Sequence, residues 1–275
     1  MKDLPIWIQH DKKRDLPLFY LDGANIRDIP SDNSDNPDRL IVYLPWSCYD
    51  NYDLRYPTVY LCDAFWDYPI AYGIYPQLLY DKAVTEYILV GLAYGGKNPD
   101  VDTLRKRDLA PPSTGSDYLE RLEKTIIPFI ESEYPADGKF RCISGTSVAG
   151  NFAIGSLFSK PDLFDAAIAL SPTVKTFDGW LFDEEENFYK KNKKVGSSIL
   201  GLGPKFDKRL FVAVGDKDNP QVINSAKEFD KVLDSRKYRY LDKQFRVIDG
   251  EKHGGVKPEG LNRGLRHTFG PFIEE

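Results

Sequence analysis

The segment Gly145-Thr-Ser-Val-Ala-Gly150 constrains this chain more than any other. An apolar run at residues 140–144 precedes it and reads as a short buried strand. Small and apolar residues recur at helical spacing over 148–158. A strand that turns sharply into a helix, with Ser147 at the apex, is a geometry that exposes a nucleophilic serine. Gly145 stands two residues before that serine, where a Cβ would crowd the turn. Ala149 takes the position that is glycine in the usual G-x-S-x-G pattern, and Gly150 follows at once. Alone, the segment also fits a serine that caps a helix by accepting bonds from its first N–H groups.

Around this turn, buried runs alternate with amphipathic ones. Apolar stretches at 40–44, 58–62, 87–94, 165–171, 209–214 and 244–248 read as strands, several of them buried on both faces. Helical patterns cover 75–84, 116–133 (Ser116 as N-cap), 220–235 and 259–269. Residues 1–30 read as one or two antiparallel strands, 31–38 as a polar turn, and 63–69 and 95–115 as loops. The alternation predicts an α/β fold with a mostly parallel central sheet and helices on both faces. Residues 172–208 break the rhythm with Trp180, an acidic run, a lysine cluster (Lys190, Lys191, Lys193, Lys194) and glycines at 196–203. They read as an insertion, either a lid or a surface decoration. With no linker, repeat or low-complexity tract, residues 1–275 read as one domain, long enough for a sizeable core.

Net charge is −5, with no basic patch or tail, which argues against nucleic acid as a partner. Three cysteines without regular spacing argue against a disulfide framework or a zinc site. Cys62 and Cys142 sit in apolar runs and read as buried thiols. No stretch approaches the roughly 18 apolar residues of a membrane span. Lacking an apolar leader, the chain is expected to be cytoplasmic, although removal of a signal peptide would leave the same sequence. Neither metal nor cofactor is expected, and oligomeric state is not legible.

A serine is a weak nucleophile at neutral pH and needs a base, and the base needs an orienting acid. Only three histidines are available: His10, His253 and His267. His10 lies far from the strand ends that build such sites, and His267 falls in the closing helix. His253 follows the last strand, in Asp249-Gly-Glu-Lys-His-Gly-Gly255. The acid is expected after the penultimate strand, where Asp218 is preferred and Asp216 is the alternative. The chain order Ser147, Asp218, His253 is nucleophile, acid, base, as in α/β-hydrolases. An oxyanion hole would take one backbone N–H from Val148. The other would come from Ala64 or Phe65, after the strand that ends at Cys62. Trp66, Tyr68 and Trp180 are candidate substrate-binding aromatics. The segment Arg105-Lys-Arg-Asp108 reads as a loop brace held by internal ion pairs.

These pieces together resemble the putative-esterase branch of the α/β-hydrolases. That branch includes esterase D (S-formylglutathione hydrolase), enterobactin-type siderophore esterases, and feruloyl and acetyl-xylan esterases. The resemblance runs from about residue 40 to 269. It is carried by Val59-Tyr-Leu-Cys-Asp63, Arg105-Lys-Arg-Asp-Leu-Ala-Pro111, Ile127-Pro-Phe-Ile-Glu-Ser-Glu-Tyr134 and the serine turn. Lys160-Pro-Asp-Leu-Phe-Asp165, Ala169-Leu-Ser-Pro172, His253-Gly-Gly255 and Gly260-Leu-Asn-Arg-Gly-Leu-Arg266 complete it. It implies an α/β-hydrolase fold and a serine esterase acting on a small-molecule or carbohydrate-linked ester, with feruloyl or acetyl carbohydrate esters as candidates. Ala149 and Ala64 depart from the family pattern, which commonly has glycine at both positions. Two other activities fit the same residues: a non-catalytic binding protein that kept the fold, and an acyltransferase with an acceptor other than water.

Overall fold

The apolar runs become strands of a single sheet. The computed structural model describes residues 21, 23–29, 36–51, 53–96, 99–110, 114–193 and 202–270. Its strands are β1 (Ala24–Ile29), β2 (Asp38–Tyr43), β3 (Tyr56–Leu61), β4 (Ile88–Tyr94), β5 (Ala136–Thr146), β6 (Ala166–Leu170), β7 (Lys205–Gly215) and β8 (Arg239–Ile248). They lie in the order β1-β2-β4-β3-β5-β6-β7-β8. The β1–β2 and β2–β4 pairs are antiparallel, and every pair from β4–β3 to β7–β8 is parallel. This is the α/β-hydrolase arrangement, with a mostly parallel sheet and helices on both faces.

The period of two in each strand separates two cores. Val59, Leu61, Ile168, Leu170 and Phe211 point to one face. Tyr60, Ala167, Ala169, Leu210 and Val212 point to the other. The first face is covered by α2 (Ala64–Tyr80) and α9 (Val256–Phe269). The second is covered by α4 (Thr114–Arg121), α5 (Ile127–Glu133), α6 (Val148–Ser159), α7 (Trp180–Asn192) and α8 (Pro220–Arg236). A π-helical turn, Leu122–Ile126, joins α4 to α5. Two shorter helices are α1 (Ser47–Asp50) and α3 (Val101–Leu109). Cys48, Cys62 and Cys142 are buried free thiols, and burial raises the pKa of each.

Several boundaries differ from the sequence expectations. The expected loop 63–69 is the start of α2, which runs through Pro69 and Pro76. Each proline removes one intrahelical N–H donor, so the stretch does not read as a helix. The expected loop 95–115 contains α3, whose N-cap Asp100 accepts from the Thr103 N–H at 3.2 Å. The helix expected from Ser116 begins two residues earlier, at Thr114. Strands β7 and β8 start earlier than their apolar runs, at Lys205 and Arg239. The expected strands within 1–20, the turn at 31–35 and the glycine-rich stretch at 196–201 lie outside the described residues, as does His10.

Within 172–208, a 3-10 turn (Phe177–Gly179) leads into α7. Phe182 meets Phe229 of α8 edge-on, and Phe188 meets Phe158 of α6. Glu185 of α7 is fully buried, and Arg236 donates to both its carboxylate oxygens. The Tyr238 hydroxyl donates to the same carboxylate at 2.6 Å, and burial, more than that carboxylate, raises the phenol's pKa. Removing one member of a buried charged group leaves the others without a partner. Glu185→Ala is therefore expected to cost roughly 3 kcal/mol of unfolding free energy. Denaturant titration checks this, and a loss too small to shift the midpoint would contradict it.

The sheet order reverses around β3. The chain passes from β3 to β4 on one side, then returns across to β5 on the other. Beyond the carboxyl ends of β3 and β5 there is consequently a crevice not crossed by a connection, the usual ligand position of an open α/β sheet.

Candidate active site

Ser147 is the single residue between the end of β5 at Thr146 and the start of α6 at Val148. Its backbone has φ 63° and ψ −120°, a conformation L-residues rarely adopt. Such strain costs on the order of 1–3 kcal/mol and survives only where neighbours hold it. Here the Ser147 N–H donates to Leu170 O at 2.8 Å, at the end of β6. Its carbonyl accepts from the N–H groups of Asn151 (3.0 Å) and Thr173 (3.2 Å). A Cβ on Gly145 would lie 2.5 Å from the Ala149 carbonyl carbon and oxygen, so any side chain there would force strand and helix apart. Ala149, in the position where glycine is usual, is fully buried in the core. The turn accommodates that methyl because Gly145 opposite it has none.

Asp218 and His253 meet beyond the ends of β7 and β8. The His253 Nδ1–H donates to both Asp218 carboxylate oxygens, at 3.0 Å each. That bond selects the tautomer and leaves Nε2 as the ring's free acceptor. The Asp218 side chain is 2% exposed, whereas that of His253 is 42% exposed. Asp218 also accepts from the Asn219 N–H at 2.6 Å. Two backbone bonds tie the acid and base loops together: Asp216 N–H to Ile248 O (3.0 Å) and Lys217 N–H to Glu251 O (2.9 Å). Asp216 itself is exposed and makes no bond to His253. Among the described residues, no hydrogen bond joins Ser147 Oγ to His253. In unliganded hydrolases this contact is commonly long. His267 is buried in α9, near the Asp242 carbonyl, and burial lowers its pKa.

The candidate oxyanion donors lie at two helix N-termini on adjacent strands. Val148 opens α6 after β5, and Ala64 and Phe65 open α2 after β3. Among the described residues, the N–H groups of all three have no hydrogen-bond partner. Unpaired N–H groups at a helix start, backed by the peptide dipole, suit a developing negative charge. Asp63 makes the turn into α2 in a left-handed conformation, φ 54°. The swing of that loop is thus taken by Asp63 and not by a glycine at 64. The Ala64 methyl is buried, and a Cβ on Gly91 of β4 would come within 2.8 Å of it.

Arg105 braces this loop. Its Nε donates to both Asp63 carboxylate oxygens at 2.8 Å, and a terminal nitrogen donates to Thr146 O at 3.3 Å. Burial raises the Asp63 pKa, and the guanidinium opposes that rise. Farther along the segment, Asp108 is held by Arg107 and Arg121, and Arg121 also pairs with Asp38. The segment does brace a loop, but from helix α3, with only the Arg107–Asp108 pair internal and the others made to Asp63 and Arg121.

The aromatic candidates part company. Trp66 is 44% exposed and Phe65 71%, with their rings edge-on at 5.9 Å. Arg105 and Lys257 each approach the Trp66 ring at 6.0 Å. Tyr68 is instead buried in the core and stacked on Tyr72. Trp180 packs on α6, where a Cβ at Gly155 would come 2.2 Å from its ring. Gly155 is eight residues past Ser147, about 12 Å along the helix. Of the three, only Trp66 is exposed, beside Arg105 and Lys257. Below it, buried Asp67 accepts from Thr146 and Lys257, and it does not stand out in the sequence because α2 does not read as a helix. Among the described residues, no group of three or more His, Cys, Asp or Glu side chains is arranged to hold a metal, and no helix is long and apolar enough to cross a membrane.

Known proteins share both sequence and fold with this chain. It is 24% identical to the ferri-bacillibactin esterase BesA of Bacillus subtilis (strain 168), over 93% of each chain. The solved BES protein from Bacillus cereus superposes with a TM-score of 0.78 at 19% identity, covering 92% of this chain and 97% of that one. A solved ferulic acid esterase superposes with a TM-score of 0.67 at 20% identity, covering 91% and 98%. The model of the family described as "Putative esterase" matches residues 31–254. The chain therefore belongs to the Putative esterase family, and it is a carboxylic ester hydrolase.

Proposed function

We propose that the chain hydrolyses esters through an acyl-enzyme formed on Ser147. His253 takes the serine proton as Oγ attacks the ester carbonyl, then returns it to the leaving alcohol. Asp218 orients His253 and stabilises the imidazolium. The N–H of Val148, with that of Ala64 or Phe65, binds the oxyanion, and water releases the acid. The observation that carries this reading is the strained Ser147 at one strand end, with His253 bonded to the buried Asp218 at the same sheet edge. A fluorophosphonate probe tests it. One covalent adduct at Ser147 is expected, blocked by prior acylation, and a folded protein that takes no label would contradict it.

For the substrate, we favour a siderophore ester over a feruloyl or acetyl carbohydrate ester. The relative that spans 93% of this chain is named for ferri-bacillibactin, and the exposed, edge-on Phe65–Trp66 pair suits an aromatic ligand. The ferulic acid esterase shares the fold, which keeps aromatic esters as the second reading. The expected order in a substrate panel is ferri-siderophore ester first, then feruloyl, then acetyl-xylan. A higher kcat/KM on the carbohydrate esters would reverse this choice. Free acid as the sole acyl product, with alcohol acceptors present, would mark water as the acceptor. We also take the chain as one domain, with the described stretch from Phe177 to Asn192 a decoration packed on α6 and α8 and not a lid.

A further inference from the structure

We infer that Asp67 is a positioning residue that clasps together the three segments of the candidate site. The inference rests on the catalytic reading above. Asp67 is the fourth residue of α2 and is 1% exposed. One of its carboxylate oxygens accepts from Thr146 Oγ1 at 2.8 Å, and the other accepts from Lys257 Nζ. Thr146 immediately precedes Ser147. Lys257 is four residues past His253, in the first turn of α9. Asp67 itself lies three residues past Ala64. A single carboxylate thus touches the oxyanion loop, the nucleophile turn and the segment that carries the base, across chain separations of 79 and 190 residues.

A buried carboxylate is costly unless its oxygens are partnered. Packing alone would be served as well by an apolar side chain of similar size. Both of its partners here belong to catalytic segments, and the same point is gripped a second time. Asp63, the N-cap of α2 four residues earlier, holds Arg105, which donates to the Thr146 carbonyl. Asp67 takes the Thr146 hydroxyl. Thr146 is thus held by its carbonyl, through Arg105, and by its hydroxyl, directly, and through it the two carboxylates set the gap between the Val148 N–H and those of Ala64 and Phe65. That gap matters in the transition state, when charge sits on the oxyanion, and much less when neutral ester binds. The two clasp cations also flank Trp66, at 6.0 Å each.

The expected signature is a loss in kcat with KM little changed. Asp67→Asn, Lys257→Met and the isosteric Thr146→Val are each expected to lower kcat on a chromogenic short-chain ester at least tenfold, with KM within twofold. Lys257→Arg is expected to recover most of the loss seen in Lys257→Met. The double variant Asp67→Asn/Lys257→Met should be close to the worse single variant, because both break one clasp. Unchanged kcat in folded Asp67→Asn or Thr146→Val, a loss carried by KM alone, or strictly multiplicative losses in the double variant would overturn the clasp. Should Asp67→Asn fail to fold, Thr146→Val and the lysine pair decide the same question. Fluorophosphonate labelling of the parent separates the two levels: no label on the parent defeats the catalytic reading. A labelled parent, with Asp67→Asn labelling at the same rate, defeats only the clasp.

Discussion

Ser147→Ala is expected to lower kcat/KM on a chromogenic ester by about four orders of magnitude or more. Its fold should be unharmed. In the proposed mechanism, removing Oγ deletes the atom that forms the acyl-enzyme, whereas the proposed oxyanion donors stay in position. Residual turnover should then come from those donors alone, through unassisted water attack. Ser147→Gly sharpens the experiment. At φ 63° a serine is strained and a glycine is not, so Ser147→Gly should be equally inactive yet more stable, by roughly 0.5–1 kcal/mol. A residue kept in a strained conformation at the expense of stability is one that the site uses. A helix-capping serine would behave in the opposite way, since removing a cap costs stability and leaves turnover alone. Thermal unfolding and turnover measured on the same two variants distinguish these cases. If both variants lost stability and kept activity, Ser147 would be a cap.

Legibility in the sequence follows burial. β3 and β6 are buried almost throughout and β5 over its last five residues, and so these stretches stand out and locate the loops that follow them. Asp218 and His253 are legible in the same way, one in the loop after each of the last two strands. β7 and β8 are legible only in part, because their first residues are charged and largely exposed. Helix α2 is hidden by Pro69 and Pro76, and with it the spacing that sets Asp67 in its first turn, four residues after the N-cap Asp63. Helix α3 is hidden for another reason: only Leu104, Asp108 and Leu109 are buried, too few to show a period. Tyr68 and Trp180 illustrate a further limit. An aromatic ring near a site in sequence can fill a core or line a crevice, and composition does not say which. That depends on which neighbours are small, here Gly91 beneath Tyr68 and Gly155 beneath Trp180.

The two aspartates after β7 give the second large effect. Asp218→Asn is expected to lower kcat by about three to four orders of magnitude, and Asp216→Asn by less than twofold. Sequence position favours Asp218, which lies far enough past Gly215 to turn back over the strand end, but leaves Asp216 as the alternative. Burial and partners do. The Asp218 side chain is 2% exposed and both its oxygens face His253 Nδ1, whereas Asp216 points to solvent. An asparagine at 218 keeps the shape but offers an amide N–H to a ring nitrogen that must itself donate. The imidazole can then turn to its other tautomer, with the proton on Nε2, where the serine proton has to be received. The imidazolium of the transition state also loses its counter-charge. Both effects act on kcat and leave substrate binding intact, so KM should stay within a few-fold. Raising the pH should not recover activity, because the defect is a misplaced proton and not an excess of protons. Equal losses in Asp216→Asn and Asp218→Asn, or a larger one in Asp216→Asn, would mean that the base takes its orientation from another carboxylate when substrate is bound.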